Sequence, residues 1–164
     1  MIEIINKLIN KISIILMVMM FLMPIITSIL ILTRSIFGIG SISVQELVMY
    51  FHATIFMLGI AYTLKHNRHV SIDILYNSFS TKTKERIIKL GYLIFIIPFG
   101  VFLIYISSGM VFESWRLLEG SSEAGGLGYV FILKSLIPLC GVLIVLQSFV
   151  ILTKEFKGKV EDDC

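Results

Sequence analysis

The chain is poor in charge and in cysteine, and each shortage removes a class of protein. Only 15% of its 164 residues are Asp, Glu, Lys or Arg, against about 25% in an ordinary soluble domain. A chain this short cannot hide its apolar excess in a globule, because surface-to-volume scaling leaves much of a small fold exposed. Of the two cysteines, Cys140 lies inside an apolar run and Cys164 is the last residue. No structural disulfide is expected from that pair, and no CxxC or Cys/His spacing offers a zinc site. The loops hold no Walker sequence, phosphate loop or nucleophile motif. No enzyme activity is therefore expected, and no cofactor or metal is assigned to this chain. A net charge of +3 is too small to point to nucleic acid.

Long apolar runs are what the sequence has instead. Hydrophobic residues make up 57% of the chain, and mean hydropathy is +0.94. A hydrocarbon core of about 30 Å needs roughly 20 apolar residues in a helix. Four segments meet this, at residues 12–32, 44–64, 87–112 and 129–152. The sequence thus predicts an all-α membrane protein of one domain with four transmembrane helices. Lys7 and Lys11 precede the first span as in a signal peptide. Its apolar core exceeds the h-region length of about 7–15 residues, and no small-residue cleavage site follows "ILTRSIFG", so it is expected to be retained.

Basic residues orient the spans. Lys7 and Lys11, then Lys65, Arg68, Lys82, Lys84, Arg86 and Lys89 in the middle connection, then Lys154, Lys157 and Lys159 lie on one side. Only Arg34, Arg116 and Lys134 lie on the other. The excess of Lys and Arg predicts cytoplasmic amino and carboxyl termini and a cytoplasmic middle loop. Two short amphipathic pieces on that side, at residues 1–11 and 70–79, are expected as interfacial helices. The alternation Val70, Ile72, Ile74 leaves a strand as the competing reading of the second.

Few side chains stand out. His66, His69 and Asp73 fall at i, i+3 and i+7, a spacing open to a metal, though histidines among basic residues at a headgroup boundary also fit lipid phosphate or a helix end. His52 lies near the middle of the second span, where an ionisable group is a functional candidate; packing or partner contact competes there with a cofactor or a proton relay. Glu46 opens the same span, where the helix dipole favours a carboxylate, and it could also face a partner. Lys134 can snorkel to headgroups. Pro24, Pro98 and Pro138 fall inside spans, where each can bend its helix. Gly100 and Ser107 in the third span match Gly141 and Ser148 in the fourth at the same spacing, as close helix packing requires. No span carries paired carboxylates, repeated arginines or an unwound Gly-rich break, which reads as a scaffold or accessory subunit. A self-contained four-helix exporter would want a carboxylate deep in the first span, which has none. A haem or quinone anchor would want a second embedded histidine.

The connection "ESWRLLEGSSEAGGLGY", ahead of the fourth span, is acidic, reads as flexible at Gly125, Gly126 and Gly128, and holds the only tryptophan, Trp115, which reads as an interfacial anchor. With it, the order of elements resembles a known family. "QELVMYFHATIFMLGIAYTLKHNRHVSIDIL" opens on Glu46 and carries Gly59, Ala61, Lys65, Arg68, His69, Val70 and Asp73. The loop follows with Trp115 and Glu119, then "KSLIPLCGVLIVLQSF" with Ile137 and Pro138. The chain resembles the small membrane subunit, DctQ type, of tripartite ATP-independent periplasmic (TRAP) transporters.

That resemblance implies a bacterial cytoplasmic-membrane subunit with no substrate site of its own. Its partners would be a large multi-span permease subunit and a periplasmic substrate-binding protein. The system would import organic anions, such as a C4-dicarboxylate, a sialic acid or a related carboxylate, with sodium ions bound in the large subunit. The end of the chain soon after the fourth span suggests a separate rather than fused subunit. On this reading Glu46, Tyr50 and His52 meet the permease subunit. Lys65, Arg68, His69, Lys82, Lys84 and Arg86 anchor to phospholipid, and Trp115, Arg116, Glu119 and Glu123 help dock the binding protein.

Overall fold

In the computed structural model, which describes residues 2–65 and 81–162, every regular element is helical. α1 covers Ile2–Phe37, α2 Ile42–Lys65, α3 Thr81–Gly91, α4 Ile97–Arg116 and α5 Val130–Asp162, with a π-helical turn at Tyr92–Ile96 joining α3 to α4. Four stretches are long and apolar enough to cross a membrane: Glu3–Phe37, Ile42–Lys65, Arg86–Arg116 and Val130–Thr153. Each contains or overlaps one of the four spans expected from hydropathy, the first starting nine residues earlier than residues 12–32. α2, at 24 residues, is about 36 Å long and suffices for one crossing.

The first interfacial piece takes a different form. No break separates residues 1–11 from the first span; α1 runs unbroken for 36 residues. Part of the face expected to lie on headgroups packs within the chain, while Leu8 on the same face is exposed. Ile9 is buried with Ala61 and Leu143, and Ile5, Ile12, Leu58 and Tyr62 pack around them. Ile5, Ile9 and Ile12 of the expected face thus meet α2 and α5. The second piece, residues 70–79, lies outside the described residues, as do His66, Arg68, His69 and Asp73.

The prolines also differ in effect. The helices are continuous through Pro24 and Pro138. Pro98 lies two residues past the end of the π turn, and the Ile97 N–H reaches back to the Tyr92 carbonyl. A proline ring crowds the carbonyl four residues before it, here within the π turn, and a wider turn is a usual way to absorb that clash.

The spans stand in a row rather than a closed square. α1 packs on α2, α2 on α5 and α5 on α4, while α1 touches α5 only slightly. α5 is therefore the interior helix: 39% of its most apolar stretch is buried within the chain, against 6% for α1. Its Cys140 and Ile144 join Leu64 and Tyr92 in one cluster, and its Leu143 joins the Ile9 cluster.

The α4–α5 contact is the closest. A Cβ on Gly141 would lie 2.7 Å from the Gly100 carbonyl oxygen, and one on Gly100 would lie 3.1 Å from the Gly141 oxygen. Ser107 and Ser148 on the same seam are buried, and their hydroxyls donate to the Leu103 and Ile144 carbonyls of their own helices. The matched small residues are thus one interface, where backbones approach too closely for any side chain. Gly141→Val is predicted to destabilise the α4–α5 pair by about 1–3 kcal/mol through overpacking. Gly59→Ala, where a Cβ meets nothing within 4 Å, is predicted to be neutral or stabilising. Thermal unfolding of the two variants in detergent checks the contrast.

Candidate functional site

Two places gather the residues singled out by sequence: the loop end of the row, where α1 meets α2 and α4 meets α5, and the outward face of α2. At the loop end, α4 stops on a left-handed residue. Leu118 has φ 47, its N–H donates to the Trp115 carbonyl at 3.2 Å, and the Glu119 N–H donates to the Ser114 carbonyl at 3.0 Å. These two bonds close the helix as a left-handed C-terminal cap. Glycine is usual at that position; leucine there is strained by Cβ crowding. The turn swings the Glu119 carboxylate back between α4 and α5. One oxygen accepts from Ser114 Oγ at 2.7 Å and from Lys134 Nζ at 2.5 Å. Beside it the Trp115 indole N–H donates to Ser135 Oγ at 2.8 Å. The Trp115 ring meets Phe131 edge-on at 4.8 Å between centroids. The only tryptophan and a lysine read as a snorkelling cation are therefore both fastened to their own chain.

Glu46 fastens the rest of the loop to α2. One carboxylate oxygen accepts from Ser121 Oγ, and the other accepts from the Leu127 N–H at 2.6 Å. Ser43 Oγ donates to the Gly125 carbonyl close by. Ser121 and Leu127 are themselves paired by a backbone bond of 2.8 Å. Gly126 must be glycine: a Cβ there would lie 2.6 Å from Ser121 Cβ and 2.8 Å from Glu46 Oε1. Gly125, at φ +82, needs glycine for its backbone. The "GG" that reads as flexibility in the sequence is a fixed turn gripped by a carboxylate from another helix.

The other expected docking residues are more open. Arg116 and Glu113 pair at 3.0 Å on the surface with both side chains more than half exposed, a geometry worth little. Glu123 is exposed, and its N–H donates to Ser121 Oγ at 3.1 Å.

On α2 the three residues assigned to a partner point different ways. Glu46 is spent on the loop. Tyr50 is half-buried, and its hydroxyl has no hydrogen-bond partner among the described residues. His52 is exposed near the middle of the span. At the other end of α2, Lys65 Nζ donates to the Asn6 carbonyl at 3.2 Å and to Asn10 Oδ1 at 2.5 Å. This lysine, expected to anchor to lipid, therefore ties α2 to α1. Arg86 is exposed at the start of the third crossing. Lys82 and Lys84 lie on α3, with side chains outside the described residues. No group of three or more potential metal ligands occurs among the described residues. Sequence reasoning missed Ser121, the third side of the Glu46 grip, because nothing local ties a loop serine to a glutamate 75 residues away. It missed Gln147 as well, which is 1% exposed with its Oε1 unpaired among the described residues.

The Lys134 ammonium, and after it the Ser114 hydroxyl, hold the Glu119 carboxyl below its ordinary range. A carboxyl lowered in the folded state stabilises it above the unfolded pKa and stops doing so as pH falls through the lowered value. The α4–α5 junction is predicted to be intact at pH 7 and to loosen below about pH 4, where ordinary carboxyls protonate. Trp115 emission, titrated in detergent, reports this directly; in Lys134→Met the transition should move to higher pH. Gly126→Ala should unseat the Glu46 grip and make residues 120–128 several times more sensitive to protease, with the helices unchanged by circular dichroism.

Residues 23–158 match the family described as tripartite ATP-independent periplasmic transporters, DctQ component. No individually curated protein matches the chain. The match takes in all or part of every span and the whole gripped loop. It is a family of transporter components, not of enzymes. With four membrane-crossing helices, the chain is a multi-pass protein of the cytoplasmic membrane and belongs to the DctQ family of small TRAP transporter subunits.

Proposed function

We propose that this chain is the stationary accessory subunit of a sodium-coupled importer of organic anions, such as C4-dicarboxylates or sialic acids, and that it carries no substrate itself. The observation that supports this most is the open row α1–α2–α5–α4, which leaves most of three spans outside the chain's own interior. A self-contained carrier needs a cavity with converging polar groups. The grooves on this row are lined almost wholly by apolar side chains. An open row instead enlarges whatever it joins. Beside a large subunit that moves substrate by shifting one part of itself, it widens the part that stays still and resists tilt.

In this reading both termini are cytoplasmic, and the basic residues Arg68, His69, Lys82, Lys84 and Arg86 hold the subunit to anionic headgroups. Each contributes on the order of 1 kcal/mol. The gripped loop lies on the periplasmic side, with Trp115, Arg116, Glu119 and Glu123 forming a firm surface for the substrate-binding protein. Glu46 and Glu119 serve that surface by fixing its shape, since a preformed loop avoids an ordering cost on docking.

Purification of tagged chain from native membranes in mild detergent is predicted to bring a large multi-span subunit with it, close to one per chain. Vesicles holding both subunits should take up an organic anion when given the binding protein and a sodium gradient; those lacking this chain should not. Recovery of the chain alone as a homo-oligomer would overturn the proposal. For orientation, Ser122→Cys in a Cys164→Ser background should react with an impermeant maleimide from the outside of spheroplasts.

A further inference from the structure

The outward face of α2 carries Gln45, Met49, His52 and Phe56, all exposed. Their spacing of four, three and four residues places them on one stripe of the helix. Two grooves flank it. One, of about 450 Å³, lies between α1 and α2 and is lined by Met17, Met20, Phe56 and Gly59 among others. The second, of about 410 Å³, lies between α2 and the π turn and α4, with Ile144 of α5 at its floor. Ile60 lines both, so the grooves open on the same side of the row and the stripe is the ridge between them.

His52 gives this face its meaning. It is ten residues from the first residue of a 24-residue helix, about 15 Å along the axis and so near mid-membrane. Among the described residues no hydrogen bond engages it. An ionisable side chain at that depth almost always faces protein or a water-filled cavity and pairs there, because hydrocarbon offers no partner. Its own chain turns it outward. Left to lipid, the imidazole would keep an unmet donor and acceptor in the part of the bilayer least able to satisfy them.

Resting on the reading of the chain as an accessory subunit, we infer that the α2 ridge and its two grooves are the surface that seats the large subunit. The partner presents transmembrane helices to the grooves and a hydrogen-bonding side chain to His52 at mid-membrane. The opposite side of the row, where Val142 and Phe149 project from α5, faces lipid. The surface suits a helical partner: the ridge supplies one polar contact for register, and Gly59, where nothing lies within 4 Å of an added Cβ, lets a helix approach α2 closely.

The test uses the whole complex in native membranes. A benzophenone amino acid replaces Met49, or Phe149 as the control, and crosslinks are read after illumination. Crosslinking to the large subunit from position 49 and not from 149 is the expected result. In parallel, His52→Leu should weaken retention of the large subunit roughly three- to thirtyfold, the range set by one interhelical hydrogen bond, and His52→Gln should restore much of it. Because no hydrogen bond engages His52 among the described residues, the thermal stability of the isolated subunit should not change in either variant. Large-subunit crosslinks from position 149 alone, or unchanged retention in His52→Leu, would overturn this inference and leave the accessory role standing. Crosslinks from position 49 to a second copy of this chain would also overturn it. Absence of any large subunit from the unsubstituted preparation would remove both.

Discussion

Apolar side chains gain little by leaving lipid for protein, and that constraint governs how this subunit is held together. Without a hydrophobic force between spans, helices associate by close packing and by polar contacts. The chain uses both, in different places. Along the α4–α5 seam, glycines and buried serines let two backbones approach until only hydrogen fits on Gly100 and Gly141. At the helix ends, where water and headgroups begin, carboxylates and ammonium groups do the joining: Glu46 to the loop, Glu119 to Lys134, Lys65 to α1.

The division of labour explains the row. α5 has small or buried positions facing both neighbours and becomes the interior helix, while α1 has one packed flank and the rest of its surface outward. A square bundle would bury more within the chain, but it would present a narrower face to anything else. The open arrangement leaves most of three spans outward, and the carboxylate grips give the loop end of the row a defined shape. Within the spans, Gln147 and the seam serines are buried inside the chain, whereas His52 is turned outward.

The loop shows how one feature reads differently at the two levels. In sequence, "GSSEAGGLGY" combines flexibility with acidity, and the natural expectation is a mobile docking segment. In the fold, Gly125 and Gly126 are fixed by a left-handed backbone and by the Glu46 carboxylate, and Glu119 faces inward to Lys134. The charged residues named for docking therefore split: Glu119 is held between helices by Lys134, while Glu123 and Arg116 are exposed.

Four spans, the small-residue seam and the family were legible in the sequence, because hydropathy over some twenty residues and matched glycine spacing are local properties that the bilayer reads directly. The order α1–α2–α5–α4, the burial of the amino-terminal face on α2 and α5, and the pairings Glu46–Ser121 and Lys65–Asn10 were not. Each of those depends on which helices stand side by side. A periodic apolar face looks the same whether lipid, headgroups or another helix covers it, and a carboxylate at a helix start does not announce a serine 75 residues away. The sequence determined that this chain lives in the membrane and crosses it four times; only the tertiary structure decided which polar groups are spent within the chain and which, like His52, are turned out of it.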